Sequence, residues 1–139
     1  MTNPSTLGPQ AALIYVMVTV SAADSDMTDA ELRAIGDLVR SLPVFHGFDE
    51  ENLVPVAEQC AAVLAAENGL EAVLDQVRRA LSAPLRETAY AVACEVAAAD
   101  GVVPQEELRL LEMLRHRLEI ERLVAAAIER GVAALLRSG

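Results

Sequence analysis

The sequence contains neither lysine nor tryptophan, and aromatic residues fill only 3% of its 139 positions. Without lysine, Schiff-base chemistry and a phosphate loop with its lysine are excluded. Basic side chains are scarce in general: 11 arginines stand against 21 Asp and Glu, a formal net charge of −10. Such a chain offers no ready basic face to phosphates, so nucleic acid is not an expected partner. The two cysteines, Cys60 and Cys94, lie in alanine-rich segments and read as buried thiols rather than a disulfide or metal pair. The longest apolar stretch, residues 11–23, is too short to span a bilayer. No Lys or Arg precedes it, so the positive flank of a secretory signal is missing and a cytoplasmic location is expected. Fingerprints for nucleophilic serine, zinc-protease or dinucleotide chemistry are also absent.

What the chain does have is apolar content, 53% of residues, far too much for disorder at this charge. It is also duplicated. Residues 22–33 align with 98–109 at a constant offset of 76, pairing Ala22 with Ala98, Asp24 with Asp100, Glu31 with Glu107 and Leu32 with Leu108. The apolar positions on either side recur at helical spacing. Leu13, Val16, Val20 and Ala23 repeat as Ala89, Val92, Val96 and Ala99; Leu32, Ile35, Leu38 and Leu42 repeat as Leu108, Leu111, Leu114 and Leu118. A third helical pattern from Leu53 returns from Val124 at an offset of 71, which places a five-residue insertion near Val44–Phe48 in the first copy. An amphipathic segment at residues 69–81 joins the copies, with Asp75 and Arg79 spaced as an i,i+4 pair. No segment alternates with period two. The pattern predicts an all-α fold of about seven helices in a single domain. Two related three-helix units, at about 10–68 and 83–137, flank a linking helix.

The repeated loop between the first two helices of each unit is the main functional candidate. Thr28-Asp29-Ala30-Glu31 fits a capping box, and Pro104 followed by Glu106 and Glu107 is a sound helix start. Asp24 and Asp100, however, each close an apolar helix at the end where the macrodipole disfavours a carboxylate. An Asx turn accounts for this, and so does a bound divalent cation, because oxygen ligands suit Ca²⁺ or Mg²⁺. The first loop is richer, with Asp24, Asp26, Asp29 and Glu31, but it is not an EF-hand: Asp29 stands where that loop needs Gly, and Ile35 where it needs Glu. The Phe45-His46-Gly47-Phe48 insertion reads as an apolar plug. His46 and His116 have no companions at zinc-ligand spacing, and Tyr15 and Tyr90 read as core.

With its repeated Ala-Ala-Asp-Gly/Ser loop and Glu-Leu helix start, most clearly in Ala98-Ala99-Asp100-Gly101-Val102-Val103-Pro104-Gln105-Glu106-Glu107, the chain resembles the TerB-like tellurite-resistance family over residues 13–136. The resemblance implies a cytoplasmic all-α scaffold associated with tellurite and other stress, not an enzyme. It also implies an acidic cluster for a divalent metal ion. Carried over by position, the candidate metal ligands are Asp24, Glu31, Asp100 and Glu107. The first loop's extra Asp26 joins them, while Ser25 departs from the usual Gly. The expected function is a binding module for a divalent cation or a basic protein partner. Its alternatives are a structural interaction bundle whose acids are caps, and a small hydrolase with paired carboxylates. Charge favours the first unit as the place to look: residues 1–69 hold 10 acids and 2 bases, whereas residues 70–139 hold 11 and 9.

Overall fold

A computed structural model describes residues 7–23, 27–101 and 103–137. Among the described residues there are seven α-helices and no strand: α1 Pro9–Ala22, α2 Asp29–Ser41, α3 Leu53–Ala65, α4 Gly69–Ala80, α5 Ala83–Ala97, α6 Gln105–Arg117 and α7 Arg122–Leu135. Helices α1 and α5, the first of each unit, pack along one another at the centre. Each opens with a proline in its first turn, where the missing N–H leaves no helix bond unmade. Their alanines (Ala12, Ala89 and Ala93, all fully buried) let the two backbones approach closely. Every residue of α1 from Ala12 to Ser21 is buried, so its apolar residues surround the helix instead of forming a stripe. Each fully buried Leu, Ile, Met or Val here contributes roughly 1.5–3 kcal/mol.

The two units repeat their packing. Helix α3 lies on α1 as α7 lies on α5, and each second helix crosses to the other unit's centre, α2 onto α5 and α6 onto α1. The linking helix α4 packs on α1, α3 and α6. It begins immediately after Asn68, whose φ of 58° is the left-handed turn that Asn tolerates best after Gly. Gly69 is required there for a different reason: a Cβ would meet Val63 O at 2.3 Å and Leu64 O at 2.4 Å. Asp75 and Arg79 form the expected ion pair along α4.

The connections after α2 and α6 differ. In the first unit the longer connection makes two short 3₁₀ turns, Pro43–Phe45 and Glu50–Asn52. Phe45 is buried and meets Phe48 edge-to-face, with ring centroids 5.9 Å apart. The Gln10 side-chain amide anchors the turn by donating to Val44 O at 3.1 Å and His46 O at 3.3 Å. The insertion is thus an aromatic plug tied back to the start of α1. Asp49 caps the second turn, accepting from Glu51 N at 3.0 Å. In the second unit the chain turns at once through Glu119, at φ 58°. Glu119 N donates to His116 O and Ile120 N to Arg115 O, the paired bonds of a Schellman motif. A non-glycine residue in this conformation is strained; here the Glu119 carboxylate also reaches Arg78 of α4 at 2.7 Å.

One expectation is corrected. Leu32 and Leu108 were assigned to the buried stripes of α2 and α6, yet they are 50% and 48% exposed, while Glu31 and Glu107 are each 1% exposed. Glu31 turns inward because the Thr28 N–H and hydroxyl of the adjoining loop give its carboxylate polar company. The leucines one residue later are rotated outward.

Candidate functional site

The loop preceding α2 and the loop preceding α6 meet through Thr28. As the N-cap of α2, Thr28 completes a capping box. Its Oγ1 accepts from Glu31 N at 3.1 Å, and Thr28 N donates to Glu31 Oε1 at 3.0 Å. The same hydroxyl lies 3.2 Å from Glu31 Oε1 and 3.1 Å from both carboxylate oxygens of Asp100. It has one proton, so it donates to one of these oxygens at a time. One small side chain therefore links the buried carboxylate of its own helix to the exposed carboxylate of the other loop, 72 residues away.

Gly101 makes the second loop possible. Its φ of +83° falls in the left-handed region, and its N–H closes a turn onto Ala98 O at 2.9 Å. This geometry displays Asp100 beyond the end of α5. Helix α6 starts without a side-chain cap, using Pro104 as its N-cap, with Glu107 N donating to Pro104 O at 3.1 Å. The two helix starts thus share a buried glutamate at the same position but reach it differently.

Of the five predicted ligands, Glu31, Asp100 and Glu107 are described, and the structure brings Glu31 and Asp100 together around Thr28. Asp24 and Asp26 lie outside the described residues, as does Ser25. Among the described residues no group of three His, Cys, Asp or Glu is arranged to hold a metal ion. The oxygens around Thr28 come from two carboxylates and a hydroxyl, fewer than the six to eight that Ca²⁺ takes. A cation here would need further oxygens. The role of Thr28 as the bridge was not foreseen: the repeat alignment pairs each loop with its copy and carries no information on contact between them.

A second polar cluster also escaped the sequence reading. Tyr90 of α5 is buried, and its hydroxyl donates to Glu129 Oε2 of α7. Burial, and then the Glu129 contact, push the Tyr90 hydroxyl well above its ordinary range. Burial, followed by the Glu129 charge, pushes the Cys94 thiol up to about 12, and burial pushes Cys60 up to about 11. Both cysteines are free and buried, as expected, with Cys60 Sγ 3.6 Å from Tyr15 O. Thiols held this high remain protonated near neutrality and are poor nucleophiles.

Fold and loops together define an all-helical, internally duplicated bundle with acidic loop starts. The family described as tellurite resistance protein TerB matches residues 10–129, and the chain belongs to that family. No curated protein and no solved structure matches the chain significantly. Among the described residues, no helix is long and apolar enough to cross a membrane.

Proposed function

We propose that this chain is a non-enzymatic binding module of the cytoplasmic tellurite and stress response, with the junction of its two acidic loops as the recognition surface. The carrying observation is the Thr28–Asp100 contact, which brings an exposed carboxylate of one loop to the hydroxyl that caps the buried Glu31 of the other. The favoured ligand is a divalent cation, Ca²⁺ or Mg²⁺. Asp100 and Glu31 would supply carboxylate oxygens, Asp24, Asp26 and Glu107 are the further candidates, and water would complete the shell. A purely structural role is the second reading, favoured by the complete capping box at Thr28 and Glu31.

Titration with millimolar Ca²⁺ or Mg²⁺ tests the reading. Cation binding raises the melting temperature and shifts the amide NMR signals of Thr28, Glu31 and Asp100. The double variant Asp24→Ala, Asp100→Ala loses both responses. An unchanged spectrum at millimolar ion would leave the acids as caps and remove the cation from the proposal.

A further inference from the structure

A different face of the molecule carries a binding surface that depends on neither loop acid. Helices α6 and α7 both pack on α5 but splay apart from each other, leaving an open groove of about 480 Å³. Tyr90 and Cys94 of α5 line its floor, Leu108 and Leu111 one wall, and Val132 and Ala133 the other. That volume falls within the roughly 300–1,000 Å³ of ordinary binding sites.

The internal repeat shows how unusual this groove is for the fold. At the offset of 76, Tyr90, Cys94, Leu111 and Arg115 correspond to Ile14, Val18, Ile35 and Val39. Those four side chains are 0%, 6%, 4% and 6% exposed and belong to the core. Tyr90, Cys94 and Leu111 are buried as well, at 3%, 7% and 9%, so the copies differ at the rim of this face. There the second unit has half-buried Arg115 in place of buried Val39 and exposed Glu112 in place of buried Gly36. Leu108, at the mouth, is half exposed.

We propose that this groove docks an amphipathic helix of a basic protein partner. The shape suits it: a groove walled by two helices and floored by a third accepts another helix by side-chain interdigitation, with anchors at i, i+3, i+4 and i+7. The charges choose the partner's sign. Glu112 stands on the α6 wall and Glu129 on the α7 wall, and the Tyr90 hydroxyl fixes the Glu129 carboxylate from below. Arg115, the one base among the described lining residues, has its guanidinium 3.0 Å from His116 Nε2. The acids on both walls favour Lys or Arg flanking the partner's apolar anchors.

The probe is a blocked 16-residue peptide (about four helical turns) with Leu at i, i+3, i+4 and i+7 and Lys elsewhere, titrated into the full chain by calorimetry and amide NMR. Shifts are expected at Tyr90, Cys94, Leu111 and Val132. Leu108→Glu removes an apolar contact at the mouth and weakens binding about tenfold, the equivalent of about 1.4 kcal/mol. Ala133→Trp fills the groove and weakens it at least as much. Leu32→Glu, at the equivalent half-exposed position of the first unit, is the matched control and leaves affinity unchanged, as does Asp100→Ala. Urea unfolding confirms that each variant is folded. Because Leu108→Glu makes the chain more acidic, unchanged or tighter binding in that variant would mean mere charge attraction and overturn the proposal. Shifts confined to other helices, or no binding at millimolar peptide, would do the same. If decylamine or decanol perturbs the groove signals and the peptide does not, the surface is a small-molecule site and the helix-docking proposal falls.

Discussion

Gly36 and Val39 are buried in the first unit, while their counterparts Glu112 and Arg115 stand exposed and half-buried at the rim of a groove in the second. The connections differ in parallel. The first unit spends five extra residues on a loop that buries Phe45, whereas the second turns directly through Glu119 in a strained Schellman motif. The helix starts differ as well, with a full capping box at Thr28 and no side-chain cap at Pro104. The two units share one packing scheme and differ at edges and connections, while the α1–α5 centre is tightly filled. A site on this fold is therefore best sought where the copies disagree in burial.

The largest test of this asymmetry is removal of the aromatic plug. Phe45→Ala should destabilise the protein by about 3–5 kcal/mol in urea unfolding, since a buried ring is lost and Phe48 loses its edge-to-face partner. The second unit has no equivalent aromatic to lose. A cost under about 1 kcal/mol would mean that the insertion is a surface loop. Gly69→Ala comes next, at about 1–3 kcal/mol, because the new Cβ meets the Val63 and Leu64 carbonyls and the α3–α4 turn must open.

Alkaline pH probes the two buried thiols. Their folded-state pKa values are raised above the ordinary value of 9.0, so the folded protein keeps protons that the unfolded chain releases. That contribution is fully present below about pH 9. It is lost as pH rises through about 11 for Cys60 and about 12 for Cys94. Urea midpoints measured from pH 8 upward should therefore fall, and Cys60→Ala or Cys94→Ala should each flatten the decline. Equal slopes in wild type and variants would show that the thiols are solvated.

Thr28→Ala should cost about 1 kcal/mol, the usual worth of an N-cap, whereas Pro104→Ala in the second unit should change little because no side-chain cap is lost there. Losing the Thr28 hydroxyl also separates the loops, visible as an Asp100 amide shift. The smallest effect is favourable. Gly131→Ala on α7 meets nothing within 4 Å and should stabilise by about 0.5–1 kcal/mol through helix propensity.

Much of the architecture was legible in the chain. Apolar periodicity placed the helices, the constant offset exposed the duplication, and the change of offset located the insertion that buries Phe45. Local chemistry foretold the capping box at Thr28 and the Asp75–Arg79 pair. The candidate site was legible only as a set of acids. Periodicity put Leu32 and Leu108 in the apolar stripes of α2 and α6, but the structure leaves them half exposed and buries Glu31 and Glu107 one residue earlier. Helical spacing identifies a face, but it does not say how a helix is rotated at its first turn, where orphan N–H groups and an adjoining loop outweigh apolar burial.

The sequence by itself determined what depends on neighbours along the chain: helix lengths, caps, turns, the acidic excess and the membership of TerB. These follow from backbone hydrogen bonding and side-chain propensity within a few residues. Tertiary structure alone decided that Thr28 reaches Asp100 and that Tyr90 holds Glu129. Those outcomes depend on distances between residues 39 or more apart, and such distances are set by how the helices pack together.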